Sequence, residues 1–259
     1  MSFLRLWFHA AARAFQGRRG AVLLGLSALP VVVAWVIAHR AHHVGERHFL
    51  GVQLLFVFQF VVPLAGLFLG VAVLGDEIEG RTLTYLFTRP QPRPLVLLAR
   101  YAGLCTAFLV PLVATVVVTA LVFATRVKIP EWQILSTAGI AVLGFLTYAA
   151  VFAMLRLFVN RALFVGFILV FILEGFVSKI PKTGLSSCTV WHHLALLESR
   201  LFQDQVLWDA HFRKLLRGIS PDETVARSLW VLAAILLVSL VVASVRVRVQ
   251  ETRLANASS

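Results

Sequence analysis

The sequence predicts an all-α polytopic membrane protein. It would have six transmembrane helices, an N-terminal interfacial amphipathic helix and an external helical loop between the fifth and sixth spans. Three observations predict this. The chain is 59% hydrophobic and 14% charged, with a mean hydropathy of +0.87, whereas soluble domains are about half apolar and a quarter charged. Apolar runs of roughly membrane-spanning length, about 20 residues, recur along it. Arginines gather at alternate ends of those runs, as the positive-inside rule requires.

Residues 1–20 come first. Leu4, Trp7, Ala11 and Phe15 recur at three- and four-residue steps, while Arg5, His9, Arg13 and Gln16 fall on another face. Such a helix lies in the membrane interface with its arginines toward phosphates. The first apolar run, 21–38, follows Arg18 and Arg19 and resembles a signal peptide superficially. Further spans follow it and its charged lead is long for an n-region, so it reads as an uncleaved first span. The loop after it holds His39, His42, His43 and His48. Histidines four apart can share an ion, but no carboxylate or cysteine completes a set, and no metal is expected.

The second span, 51–74, carries Gln53 and Gln59, which either line a cavity or hydrogen-bond between helices. Pro63, Gly66 and Gly70 favour a kink and close helix contacts. A polar segment, 75–95, follows: Gly75-Asp76-Glu77-Ile78-Glu79-Gly80-Arg81-Thr82-Leu83-Thr84-Tyr85-Leu86-Phe87-Thr88-Arg89-Pro90. Glu77 and Arg81 pair at helical spacing, and Ile78, Thr82 and Leu86 align at four-residue steps. Caught between two apolar runs, it lies outside the bilayer and is short enough to dock into a partner.

The third, fourth and fifth spans are read at about 96–124, 134–155 and 162–178. Only Arg156, Asn160 and Arg161 interrupt the last two. So long an apolar run cannot be one helix in a core of about 30 Å, so the arginines mark a tight turn at one surface. Cys105 falls within a span and Cys188 in a loop near the opposite face, a placement unsuited to a disulfide. Glu174, near the far end of the fifth span, either belongs to a substrate path or reaches headgroup water or Lys179.

The loop 179–227 shows two helical patterns: Leu194, Leu197 and Leu201, then Trp208, Phe212, Leu215 and Ile219. These helices would rest on the membrane surface or roof the spans. Ser220-Pro221-Asp222-Glu223 reads as a capping box, so the last helix would start at about Pro221, ahead of its apolar core at 228–245. An even number of spans puts both termini on one side. Arg5, Arg13, Arg18, Arg19, Arg81, Arg89, Arg93, Arg100, Arg156, Arg161, Arg246, Arg248 and Arg253 make that side cytoplasmic. The net charge of +12 is thereby explained by anionic headgroups. No basic stripe with interleaved aromatics stands clear of the spans, so no nucleic-acid partner is expected.

No catalytic residues are predicted. The sequence has no G-x-x-x-x-G-K-[ST] phosphate loop, no G-x-S-x-G and no H-E-x-x-H.

Asp76, Glu77, Glu79, Gly80, Thr82 and Leu83, followed by Thr88, Arg89 and Pro90, resemble the coupling segment of exporter-type (type-2) ABC transporter permeases. Arg81 stands between Gly80 and Thr82 where the commonest family pattern has no residue. The layout of spans and loops is similar across most of the chain, with a weaker echo in Leu185-Ser186 and Trp191-His192-His193-Leu194. The resemblance implies one permease domain over 1–259 that forms a translocation path with a second copy. It implies two separate ATPase subunits that hold the ATP and Mg, with no cofactor on this chain. It also implies residence in a bacterial cytoplasmic (inner) membrane, ATP-driven export, and room for an external accessory protein. Within it, Asp76, Glu77, Glu79, Gly80, Arg81, Thr82, Leu83, Thr88 and Arg89 would couple to the ATPase. The alternatives are an ATP-independent carrier or channel, which calls for an internal repeat or several buried ionisable groups, and a membrane scaffold.

Overall fold

A computed structural model of the chain describes residues 3–16, 18–41, 44–79, 93–175, 189–201 and 224–257. The elements are α1 (Phe3–Arg13), α2 (Arg18–Arg40), α3 (Glu46–Val52), a π-helical segment (Gln53–Val61) and α4 (Val62–Glu79). They continue with α5 (Arg93–Ala124), α6 (Glu131–Phe158), α7 (Ala162–Leu169) and a second π segment (Val170–Glu174). The last are α8 (Val190–Leu201) and α9 (Val225–Ala257). Among the described residues there is no strand.

Five helices are long and apolar enough to cross a membrane: Arg19–Arg40, Glu46–Val73, Pro94–Ala124, Glu131–Phe158 and Val225–Val249. They match the first, second, third, fourth and sixth expected runs. Of the run expected over 162–178, residues 176–178 lie outside the described residues. Its apolar helix is the short Ala162–Ile172. From Ala162 to Glu174 the chain rises roughly 20 Å at 1.5 Å per residue, less than the hydrocarbon core. The turn before it, at 159–161, falls where the arginines predict.

The π segment has a local cause. Pro63 offers no N–H, and its ring would meet the carbonyl of Gln59 in a regular α-helix. The ladder ahead of it is widened instead, and the Val62 N–H bonds the Val57 carbonyl. Beyond Pro63, α4 lies against α6 with backbones nearly touching. A Cβ on Gly66 would stand 2.6 Å from Tyr148 Cβ, and one on Gly70 2.5 Å from the Ala149 carbonyl oxygen. Only hydrogen fits at either place. Phe49, Phe58, Phe108, Phe123 and Phe145 are buried in the same core, with Phe108 and Phe145 5.1 Å apart.

α1 docks along α5. Ala10 and Ala14 are buried, and the Trp7 carbonyl closes on Gly103. Leu4 shares a predicted face with Trp7 and Ala11, yet Leu4 and Phe8 point away from the bundle and are largely exposed, an apolar edge suited to the interface.

In the loop between the fifth and sixth runs, the helix expected around Leu194, Leu197 and Leu201 is present as α8, Val190–Leu201. Every residue from Val190 to Ser199 is buried, so α8 is sunk among α6, α9 and the first π segment rather than resting on a surface. The second pattern, at Trp208 to Ile219, and the capping box from Ser220 lie outside the described residues. The last helix begins at Val225, and the Arg227 N–H reaches the Thr224 hydroxyl at 3.4 Å. Cys105 is a buried free thiol, and Cys188 lies outside the described residues.

Candidate functional site

Two groups of polar side chains interrupt the apolar bundle, one at each end. The first is the arginine-rich end, where α4, α6 and α9 finish. Asp76, Glu77 and Glu79 occupy the last turn of α4. Gly80, Arg81, Thr82, Leu83, Thr88 and Arg89, the rest of the predicted coupling set, lie outside the described residues. A Cβ on Gly75 would lie 3.6 Å from Arg156 Nε on α6. Arg156 is buried, and its guanidinium donates to the Asn160 carbonyl in the α6–α7 turn. Arg246 of α9 covers the Phe158 ring at 5.2 Å. Arg100 of α5 is buried nearby in sequence to the same end. Buried guanidiniums at helix ends are costly unless bonded, so this end is held together by specific contacts rather than by apolar packing alone.

The second group surrounds α8. That helix runs antiparallel to α6, beginning deep in the bundle beside Tyr148 and ending near Gln133, whose Nε2 donates to the Leu201 carbonyl at 3.5 Å. Between these points Leu194 fills the space over Gly144, with a Cβ there only 2.5 Å from Leu194 Cδ1. At the deep end the Glu174 carboxylate accepts the N–H groups of Val190 and Trp191, at 3.3 and 3.0 Å. The first N–H groups of any helix lack partners within it, and a carboxylate also suits the positive end of the helix dipole. The polar residue that sequence reasoning offered to a substrate path or to Lys179 is therefore engaged as a helix cap; Lys179 lies outside the described residues.

Farther along α8, His193 Nδ1 meets the Ser228 hydroxyl of α9 at 3.0 Å. Thr137 of α6 donates to Glu198 Oε1 at 2.8 Å. His192, His193 and Glu198 are fully or almost fully buried. Sequence reasoning missed this seam. The only local signal was the polar content of His192, His193, Glu198 and Ser199 in a stretch otherwise spaced like an amphipathic surface helix.

Gln53 and Gln59 sit in the π segment that α8 packs against. Gln53 is fully buried, and neither its amide oxygen nor its nitrogen has a hydrogen-bond partner among the described residues. Gln59 Oε1 is in the same position. Glu198 Oε2 and Gln133 Oε1 add to a set of polar atoms around α8 with no hydrogen-bond partner among the described residues. The structure thus gathers the elements bearing Gln53, Gln59 and Glu174 around one helix, while Asp76, Glu77 and Glu79 end α4 at the arginine-rich end. Among the described residues no group of three or more His, Cys, Asp or Glu could hold a metal ion.

A family model described as ABC-2 family transporter protein matches residues 14–249, from the end of α1 through most of α9. No curated protein matches the chain. The chain belongs to the ABC-2 family of transporter membrane proteins: it is an integral membrane permease component with several apolar helices.

Proposed function

From that membership we propose that two copies of the chain form a translocation path for ATP-driven export, coupled to two ATPase subunits that dock on segment 76–88. The ATP and Mg belong to those subunits. Both termini face the cytoplasm of a bacterial cell, and the arginine-rich end is the cytoplasmic one. The count of crossings is six, with the fifth, over 162–178, rising from the cytoplasmic turn and the loop 179–227 external. Gln53 and Gln59 border the path, and Glu174 borders it through α8.

The observation that supports this best is the base of that segment. Asp76, Glu77 and Glu79 end the helix whose glycines bring it into backbone contact with α6. A push on the segment therefore moves α4 and α6 together rather than bending a loose loop, which suits a rigid-body rearrangement.

Glu79 gives the sharpest test. If the segment inserts into a cleft of the ATPase, this carboxylate meets a donor there, and losing such a charge-assisted contact costs about 1.5–3 kcal/mol. A solvated Glu79 would contribute no more than about 0.5 kcal/mol. The Glu79→Arg variant is expected to insert and fold normally but to lose the ATPase on copurification at matched expression, and to lose transport. Equal ATPase recovery and equal transport would remove Glu79 from coupling.

A further inference from the structure

We propose that Arg156 is a positioning residue that passes movement of the charged segment's base into α7 and, through Glu174, into α8; this rests on the coupling to an ATPase proposed above. Three joints carry the inference. At the first, the Arg156 side chain lies against Gly75, directly ahead of Asp76 and Glu77. At the second, the same guanidinium donates to the Asn160 carbonyl in the turn that delivers the chain to α7. At the third, Glu174 at the far end of that rising segment holds the N–H groups of Val190 and Trp191. Between the second and third joints there is only helical backbone, from Ala162 to Glu174.

The chemistry suits the task. Arginine presents a planar, rigid guanidinium, so one side chain can donate to the Asn160 carbonyl while its Nε edge lies beside Gly75, where a lysine ammonium is a single compact point. Arg156 is only 6% exposed, so that placement is enforced by its surroundings. Because α4 and α6 touch through Gly66 and Gly70, they have little freedom relative to each other. The turn at 159–161 is then where their joint motion leaves the α4–α6 body. α8 is anchored at its deep end by one carboxylate, so a displacement of Glu174 moves the helix.

Spatial continuity alone does not establish coupling, so the test measures movement. The permease–ATPase complex would be reconstituted with Cys105→Ala and Cys188→Ser, and nitroxide labels placed at Leu201 on α8 and Leu121 on α5. The label distance is read without nucleotide and with the complex trapped by Mg-ATP and vanadate. The parent is expected to shift on trapping. Arg156→Ala is expected to recover the ATPase as the parent does and to hydrolyse ATP, while the shifted fraction falls about fivefold or more. Arg156→Lys should restore part of it, which a purely structural defect would not predict. Adding Glu174→Gln to Arg156→Ala should lower the fraction no further. Should Arg156→Ala fail to accumulate, Arg156→Gln carries the same test. An unchanged shift in the folded variant overturns the proposal. So does a parent that binds and hydrolyses normally yet shows no shift, an outcome that leaves the coupling reading standing. Failure of the parent to bind any ATPase overturns both.

Discussion

Gln53 is a primary amide sealed inside the first π segment with no hydrogen-bond partner among the described residues for either polar atom. Leaving such a group unsatisfied costs about 1–3 kcal/mol, and replacing it by an apolar residue of similar shape is often neutral or stabilising. Gln53→Leu is therefore expected to raise thermal stability in detergent by about 1 kcal/mol and, on the proposal that Gln53 borders the path, to impair transport. A loss of stability, or unchanged transport, would argue that the amide serves the fold. Glu174 is the opposite case. Its carboxylate is engaged by two backbone donors, so Glu174→Ala strands two buried N–H groups. A destabilisation of about 1–3 kcal/mol is expected, read as a lower unfolding midpoint. Glu174→Gln, which keeps one acceptor oxygen, should lose less.

Among the elements, the α4–α6 pair shows most directly how residues become mechanics. Gly70 faces the Ala149 carbonyl and Phe152 Cβ, the latter 3.0 Å from where a Cβ would stand. Gly139, on the same α6, would meet nothing within 4 Å. Gly70→Val is expected to cost about 1–3 kcal/mol by overpacking and to weaken nucleotide-driven activity, because the backbones must separate. Gly139→Val should leave stability nearly unchanged. A side-by-side melting comparison of the two in one detergent checks the contrast. The first π segment has a sequence cause in Pro63. The second ends at Glu174, whose carboxylate holds the first N–H groups of α8.

At the scale of the molecule, exposed apolar surface runs along α2 at Val32, Trp35 and Val36 and along α9 at Trp230, Leu237 and Val241. Surface of this kind needs lipid or a second copy against it. Purification in mild detergent is expected to yield two permease copies per complex. A monomer that still transports in vesicles would exclude the paired arrangement. Reporter fusions address orientation independently: one after Arg253 should read cytoplasmic and one near Thr183 external. A cytoplasmic reading at Thr183 would remove the sixth crossing and reverse the meaning of the loops.

The sequence by itself determined the membrane class, the positions of five long apolar helices, the turn at 159–161 and the family. Each is written in contiguous residues: a run of apolar side chains, a pair of arginines between runs, a charged segment ending in prolines. Hydropathy is a local sum, and the bilayer reads it locally, so these features need no knowledge of the rest of the chain. Only the tertiary structure decided that α8 is buried among other helices and that Glu174 caps a helix beginning 16 residues later. It also decided that Thr137 meets Glu198 across 61 residues of sequence. Spacing alone cannot distinguish a helix amphipathic toward lipid and water from one whose polar groups find partners on other helices. That difference is set by neighbours distant in sequence, because in an apolar medium a polar side chain goes where a donor or acceptor already is.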